Sequence, residues 1–376
     1  MADIVTIPQS ERDLNKIVFA VRQLGERTIS AREILTANRT YYVATTGNDG
    51  NDGKTAASPF LTLQKGYDTI TDSLDLAGKT ATVSVANGTY GAGISFTKPW
   101  TGGGSVSIDG DLTVPRRTLI SGTNLNCFNN IATLPGTLRI RGFGVATATS
   151  GAGVRNAGVG TITLGLMDFG ACANYHMYVL GTGAAILANT ARYTISGNAQ
   201  YHYIADSLSQ IQCVGARISL VGGLRTFSIF ADAERVAALY TFVLSFPAIS
   251  VNTAGTGYVV GDTLTASGGT ATTQATFLVN TVNGSSGVTE AVMVTPGTYS
   301  VLPTNPITMT GGTGSGCKLA IDGSIVGTTW SNPSSSSVVG SRFNVGNNGD
   351  IFVAGAGANY FPGNSAGTTG TGGTYN

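Results

Sequence analysis

Two aspartates that lie 26 residues apart, Asp206 and Asp232, are the carboxylates of this chain best placed to share a site. They follow equivalent sequence contexts, so a coiled chain with that period stacks them about 5 Å apart on adjacent strands. Two carboxylates at this distance raise the pKa of one of them, which is what a general acid needs. Glu234 lies close to them in the sequence. The three residues predict acid–base cleavage of a glycosidic bond.

The same aspartates also fit a structural role, because a repeated Asp in a coiled chain often caps backbone amides in a turn. Asp109 and Asp111, which are two residues apart, also fit a turn. His176 and His202 occur in identical Tyr-His contexts, are too few for a metal site and fit an aromatic ladder. We therefore predict no metal and no cofactor. Whether the protein is an enzyme stays open, with binding alone favoured.

Aromatic side chains offer a second chemistry, because the face of a Tyr or Trp ring stacks on the apolar side of a sugar. Some of these rings also fit packing in the core or between subunits. The candidates for glycan binding are Tyr175, Tyr178, Tyr201, Tyr203 and Trp330, with Tyr360 and Phe361 as further ones.

The composition argues against several other functions. Glycine makes up 53 of 376 residues, charged residues 11% and apolar residues 42%, so the chain turns often but is not disordered. A net charge of +1 gives no basic surface for nucleic acid. No apolar run is long enough to span a membrane and no signal-peptide pattern is seen, which predicts synthesis in a cytoplasm without membrane insertion. The four cysteines lie far apart and fit buried apolar positions.

An internal repeat indicates which elements position these residues. The twelve residues from Ile186 are echoed 25 residues later from Ile211, so that Ile186 stacks on Ile211 and Ala188 on Cys213. A period of this size is typical of a solenoid, whose coils bury their apolar faces against each other. Short apolar strands between residues 80 and 245 fit seven or eight coils.

The first forty residues have a different pattern. Ser10-Glu-Arg-Asp13 forms a capping box, and an apolar stripe follows at helical spacing. An isolated helix this short is marginal in water, so we expect the stripe to dock against sister copies or a larger assembly. Packing on the body of the same chain is the alternative. The docking stripe consists of Leu14, Ile17, Val18, Val21 and Leu24.

From residue 41 the pattern changes to β-strand. A short strand precedes the turn Gly47-Asn-Asp-Gly-Asn-Asp-Gly53, and Ser58-Pro-Phe-Leu-Thr-Leu-Gln-Lys65 opens a helix that would cap an apolar end. An alternating strand then ends in Asn87-Gly-Thr-Tyr90. This order resembles the start of right-handed parallel β-helix proteins of the pectate-lyase-like type, and most of all the tail spikes and tail fibres of bacteriophages and prophages. The family usually has Ala where this chain has Gly66, which weakens the helix.

The resemblance implies an all-β fold in which a right-handed parallel β-helix, in a trimer, occupies residues 41–245 after a virion-attachment segment at 1–40. The coil register is then lost, and residues 246–323 fit an inserted small β module. Its Gly257-Tyr-Val-Val-Gly-Asp-Thr-Leu264 resembles small modules of phage structural proteins. Residues 324–376 are expected to form a C-terminal β and trimer-locking end.

Two features of that C-terminal end carry the expectation. The segments 340–345 and 349–353 fit a last hairpin-like pair. The tail at 363–376 has almost no apolar content, so we expect two sister chains to order it.

The function that the resemblance implies is attachment: a virion fibre or spike protein that mediates adsorption of a phage to a bacterial surface polysaccharide. Two alternatives stay open, a tail-spike depolymerase that cleaves the polysaccharide and a purely structural virion decoration protein. The expected partners are two further copies in a homotrimer, other virion or tail proteins bound through the N-terminal segment, and the glycan. The expected location is the virion.

Overall fold

The computed structural model shows a parallel β-solenoid of about ten turns that carries an antiparallel module. It describes residues 32–376 except 190–191, 215, 222–224, 227–228, 233–237, 241–247, 323–337, 347, 354, 356 and 362. The prediction of an all-β fold built on a parallel β-helix is confirmed. The predicted N-terminal helix, with its docking stripe from Leu14 to Leu24, lies outside the described residues.

The strands of the solenoid form three columns, and within each column consecutive coils pair in parallel. The first column contains Arg39–Val43, Thr80–Val85, Ser105–Asp109, Thr137–Ser150, Gly160–Phe169, Ala184–Leu187, Gln210–Gln212, Ala238–Tyr240, Asp350–Phe352 and Thr374–Tyr375. The second contains Gly88–Tyr90, Thr118–Asn124, the later parts of Thr137–Ser150 and Gly160–Phe169, Arg192–Ile195, Arg217–Val221 and Ala248–Thr253. The third contains Ile94–Phe96, Phe128–Asn130, Ala152–Asn156, Tyr175–Leu180, Tyr201–Asp206, Ile229–Asp232, Asn344–Gly346 and Thr368–Thr369.

Apolar side chains fill the interior and stack from coil to coil. In the first column Val106 pairs with Leu138 and Leu138 with Ile162. Ile186 continues the stack and pairs with Ile211, as the repeat predicts. All five side chains are fully buried. Burying one such side chain contributes roughly 1.5 to 3 kcal/mol, so these stacks stabilise a chain that has few charges.

Two buried asparagines hold the corner between the third column and the first. The Nδ2 of Asn130 donates to Oδ1 of Asn156 on the next coil at 2.8 Å. The Nδ2 of Asn156 in turn donates to the carbonyl oxygens of Gly160 at 3.0 Å and Ala185 at 2.9 Å. Polar groups without access to water need such partners, and here the partners tie three coils together.

The helix Leu63–Ser73 covers apolar side chains of the first coils. Tyr67 is fully buried, and its ring meets the edge of the Phe96 ring at 4.8 Å between centroids. A Cβ added to Gly66 would lie 2.9 Å from Cγ1 of Val83, closer than real Cβ atoms approach. The glycine therefore lowers helix propensity but lets the helix pack closely on the strand beneath it.

The antiparallel module leaves the second column along Ala248–Thr253. On one edge this strand pairs in parallel with the preceding coil through Ala248 and Ile249, and on its other edge it pairs antiparallel with Lys318–Asp322. The remaining strands of the module are Thr263–Ala266, Thr276–Val282, Val288–Thr295 and Ile307–Thr310, with a small separate sheet of Thr270–Thr273 and Thr298–Val301. The core of the module also includes Val114 and Val221 from the solenoid, so the two parts are packed together.

The Gly-Tyr-x-x-Gly-Asp-x-Leu motif of the module is a folded corner. Tyr258 and Leu264 are buried in the module core. Gly261 has a φ of +96°, which favours glycine. The Asp262 carboxylate accepts hydrogen bonds from the Val259 amide at 3.0 Å and from the amide and hydroxyl of Thr313 at 2.9 and 2.7 Å. These donors hold the pKa of Asp262 below its ordinary value against the opposing effect of burial.

The C-terminal segment continues the solenoid. The prediction of a hairpin-like pair at 340–345 and 349–353 is wrong, because Asn344–Gly346 pairs in parallel with Ile229–Asp232 and Asp350–Phe352 with Ala238–Tyr240. The tail, expected to need sister chains, adds two more parallel strands to its own chain. The ring of Tyr375 near its end stacks on Phe343 at 3.9 Å. The turns between these strands place consecutive strands in different columns, so they do not pair with each other as the two strands of a hairpin would.

Candidate functional site

Three tyrosines cluster on the outer side of the third column, and we call them the tyrosine surface: Tyr175, Tyr178 and Tyr201. Tyr175 pairs in register with Tyr201 on the next coil, and their rings stack with centroids 6.3 Å apart. The ring of Tyr178 lies 4.8 Å from that of Tyr175. All three side chains are partly exposed. Burial, and then the nearby Asp206 and Tyr175, raise the pKa of Tyr178, so its hydroxyl is protonated at neutral pH.

Arg155 borders the tyrosine surface on the preceding coil. It pairs in register with Tyr178, and its guanidinium carbon lies 5.8 Å from the centre of that ring. Its Nη1 donates to Oδ1 of Asn129 at 2.9 Å. Asn129 lies one coil further back at the same register position. The tyrosine surface therefore has a positively charged edge that is held in place by hydrogen bonding and ring stacking.

The other predicted aromatic residues do not join this surface. The structure corrects the prediction that Tyr203 binds a glycan. Its side chain is 1% exposed, and its hydroxyl donates to that of Tyr193 at 3.2 Å inside the solenoid. A buried ring cannot stack on a sugar from solvent. Tyr360 and Phe361 are buried as well. Trp330 lies outside the described residues.

The predicted stacking of Asp206 on Asp232 holds for the backbone. The two residues pair in register at the ends of consecutive strands of the third column. The Asp206 carboxylate accepts a hydrogen bond from the Ser207 hydroxyl at 2.8 Å, and its amide donates to Oγ of Ser209 at 3.0 Å. Asp206 therefore begins a turn. The structure does not describe the side chain of Asp232 or any part of Glu234. The assignment of Asp206, Asp232 and Glu234 as catalytic residues therefore stays a prediction.

The two histidines lie inside the solenoid rather than beside the aspartates. His176 and His202 are fully buried, and their rings stack 4.4 Å apart. A ring nitrogen of His176 lies 2.9 Å from the carbonyl oxygen of Gly170, and the Phe169 ring stacks on its other side at 5.3 Å. Both imidazoles thus serve as packed rings, as the aromatic-ladder interpretation predicts, and neither reaches solvent near Asp206.

Asp109, Asp111 and the cysteines have structural rather than catalytic environments. Asp109 is paired with Arg141 through two hydrogen bonds of 2.9 and 2.8 Å, and Asp111 caps the turn that follows.

Burial raises the pKa of the Cys172 and Cys213 thiols to about 12, so they stay protonated at neutral pH. Within the described part of the chain no group of three or more His, Cys, Asp and Glu side chains is arranged to hold a metal ion.

A buried charged network between the solenoid and the module is the feature that the sequence does not reveal. Asn280 donates to Oδ2 of Asp168 at 2.8 Å and to Oε2 of Glu290 at 3.3 Å. Arg116 donates to Glu290, and its Nε lies 4.0 Å from Asp168. The Ser196 hydroxyl donates to the other oxygen of Asp168. The adjoining cavity of about 10 Å³ has room for one water at most, so this network fixes the module rather than binding a sugar.

An open cleft of about 310 Å³ lies beside the start of the helix Leu63–Ser73. Three of the polar side chains that line it already make hydrogen bonds within the protein. The Thr62 hydroxyl donates to Asp49 at 2.8 Å, Gln64 accepts from the Ser95 amide at 2.8 Å, and the Tyr90 hydroxyl donates to a backbone carbonyl at 2.9 Å. The cleft therefore offers a ligand less specific recognition than the tyrosine surface does.

Comparison with known proteins gives this chain no family. No family model, curated protein or solved structure matches it. None of the described helices is long and apolar enough to cross a membrane. What the site can bind or catalyse therefore rests on its own residues and contacts, among which the tyrosine surface and Arg155 offer partly exposed rings and a cation.

Proposed function

We propose that this protein is the attachment fibre of a bacteriophage or phage-derived particle, and that it binds a bacterial surface polysaccharide through the tyrosine surface. The observation that carries the proposal is the cluster of Tyr175, Tyr178 and Tyr201 rings, partly exposed on two consecutive coils. Tyrosine faces stack on the apolar side of sugar rings. Tyr175 and Tyr201 repeat one stacking position on two consecutive coils, which are about 4.8 Å apart, and this spacing suits neighbouring sugars of an extended chain.

The wider proposal follows the resemblance of residues 41–96 to phage tail spikes and fibres. The parallel β-solenoid is compatible with it. In this proposal three copies of the chain form the fibre, and the N-terminal segment joins it to the rest of the virion. Mass measurement in solution tests the trimer directly, and a monomer at micromolar concentration would contradict it.

Binding to a panel of purified capsular polysaccharides and lipopolysaccharides tests the attachment role. We expect saturable binding to the polysaccharide of one bacterial type. If the protein binds no polysaccharide of the panel, and particles that lack the protein adsorb normally, the structural decoration role would be favoured instead.

A depolymerase is the second candidate, favoured by the register of Asp206 on Asp232. Incubation with the bound polysaccharide and measurement of new reducing ends or unsaturated uronates separates it from binding alone. Product formation that is lost in Asp232→Asn would establish the depolymerase. Product that persists in that variant would remove Asp232 from the mechanism.

A further inference from the structure

Arg155 is a cation beside the tyrosine surface that has no carboxylate partner among the described residues. The side chains of four other described arginines form ion pairs with Asp or Glu: Arg39, Arg116, Arg117 and Arg141. Arg155 instead meets the amide oxygen of Asn129 and the ring of Tyr178, and it is only partly buried. Among the described residues, no carboxylate therefore pairs with this charge at the place where the aromatic surface begins.

The geometry of Arg155 suits recognition of an anion. The hydrogen bond from Nη1 to Asn129 and the contact with the Tyr178 ring restrict the position of the guanidinium. A guanidinium has five N–H donors in a fixed fork, and Asn129 takes one of them. The remaining donors match the two oxygens of a carboxylate, and little side-chain entropy is lost on binding because the side chain is already held.

The opposite end of the tyrosine surface has the opposite charge. Tyr178 lies one coil after Arg155, and Asp206 lies on the coil after that, at the end of its strand. Two strand spacings place the two charges about 10 Å apart along the axis. Asp206 also has no ion-pair partner among the described residues. An acidic group on a bound glycan is therefore attracted to the Arg155 end and repelled from the Asp206 end.

We infer that the polysaccharide bound by the tyrosine surface is an acidic one, and that Arg155 binds the carboxylate of one of its sugars. This inference rests on the proposed function, because it names the ligand class of the same surface. The neutral rings of the glycan stack on the tyrosines, while the carboxylate fixes the position and direction of the chain.

The test uses the panel of purified polysaccharides, each one native and with its carboxyl groups reduced to alcohols. Binding is measured for the full-length protein, for Arg155→Gln and for Arg155→Lys. The matched control is Arg139→Gln, which removes the same charge from an exposed arginine of the first column. Asp206→Asn removes the negative charge at the opposite end of the tyrosine surface. Thermal unfolding of each variant confirms that it is folded.

We expect the protein to bind an acidic polysaccharide and Arg155→Gln to weaken that binding about tenfold or more, because a hydrogen-bonded charge is lost. Carboxyl reduction should weaken binding equally and abolish the difference between Arg155→Gln and the unmodified protein. Arg155→Lys should fall between them, Asp206→Asn should bind more tightly, and Arg139→Gln should be unchanged.

Equal binding of native and carboxyl-reduced glycan, or an Arg155→Gln variant that binds as well as the unmodified protein, overturns the inference and leaves the proposed function standing. Binding to neutral polysaccharides and to no acidic one also overturns the inference and leaves the proposed function standing. Absence of binding to every polysaccharide overturns both. If Arg155→Gln does not fold, the comparison of native with reduced glycan on the unmodified protein decides the matter.

Discussion

The imidazole rings of His176 and His202 stack 4.4 Å apart and within 8° of parallel inside the solenoid. The two residues are 26 positions apart, so one coil of the third column returns the chain to the same place after that interval. The same interval places Tyr175 beside Tyr201 on the outer side of the wall. One repeat therefore builds both the core and the candidate site.

Replacing His202 by alanine should destabilise the protein by about 2 to 4 kcal/mol, because it removes a buried ring and leaves a cavity. His202→Phe keeps a ring in the stack and should cost less. Chemical denaturation of the two variants measures the difference. Equal losses would show that the ring stack does not contribute to stability.

The buried network between solenoid and module should be sensitive to loss of its cation. Arg116→Ala leaves Glu290 and Asp168 with less compensation in a site where their side chains are 8% and 3% exposed. We expect a loss of about 2 to 3 kcal/mol, below the value for a fully buried pair because Arg116 is itself partly exposed. Calorimetry should show the effect.

The matched control for Arg116→Ala is Lys98→Ala. Lys98 pairs with Asp72 at 2.9 Å on the surface, where both side chains are about half exposed. Such pairs contribute little. The unfolding midpoint of Lys98→Ala should therefore match that of the unmodified protein, and a drop as large as that of Arg116→Ala would contradict the role given to burial.

Stability should decline in alkaline solution. Burial raises the pKa of the Cys213 thiol from its ordinary 9.0 to about 12, and that of Cys317 to about 11. Above pH 9 the unfolded chain releases these protons while the native state keeps them, so the stabilisation present below pH 9 is lost as pH rises towards 11 to 12. Each thiol contributes a slope of about 1.4 kcal/mol per pH unit.

Thermal unfolding from pH 8 to 11 measures this decline. Cys317→Ala should show a shallower decline than the unmodified protein, although its midpoint at pH 8 should be lower because the buried side chain is lost. A midpoint that does not change with pH would contradict the buried-thiol description.

Much of the fold could be predicted from the sequence because a solenoid repeats its contacts. The spacing of Ile186 and Ile211 and of Asp206 and Asp232 gives the observed register directly. The capping helix could also be predicted, because Leu63, Tyr67 and Ile70 fall on one face and are buried.

The rest depends on contacts that leave no periodic signal. Tyr203 lies two residues after Tyr201, where regular strand alternation would place both rings on the same side, yet Tyr203 is buried and Tyr201 is partly exposed. Arg116 and Glu290 are 174 residues apart, and nothing in their local sequence links them. Arg155 does not share a repeated motif with the tyrosines, so only the stacking of coils shows that it borders them.

The most direct test of the central claim is the affinity of the Tyr178→Ala/Tyr201→Ala double variant for the bound polysaccharide. Tyr42→Ala, which removes a partly exposed tyrosine from the first column, is the control. Loss of two stacking rings should weaken binding by about a hundredfold while the control binds normally. Unchanged affinity of a folded double variant would contradict the claim that the tyrosine surface binds the glycan.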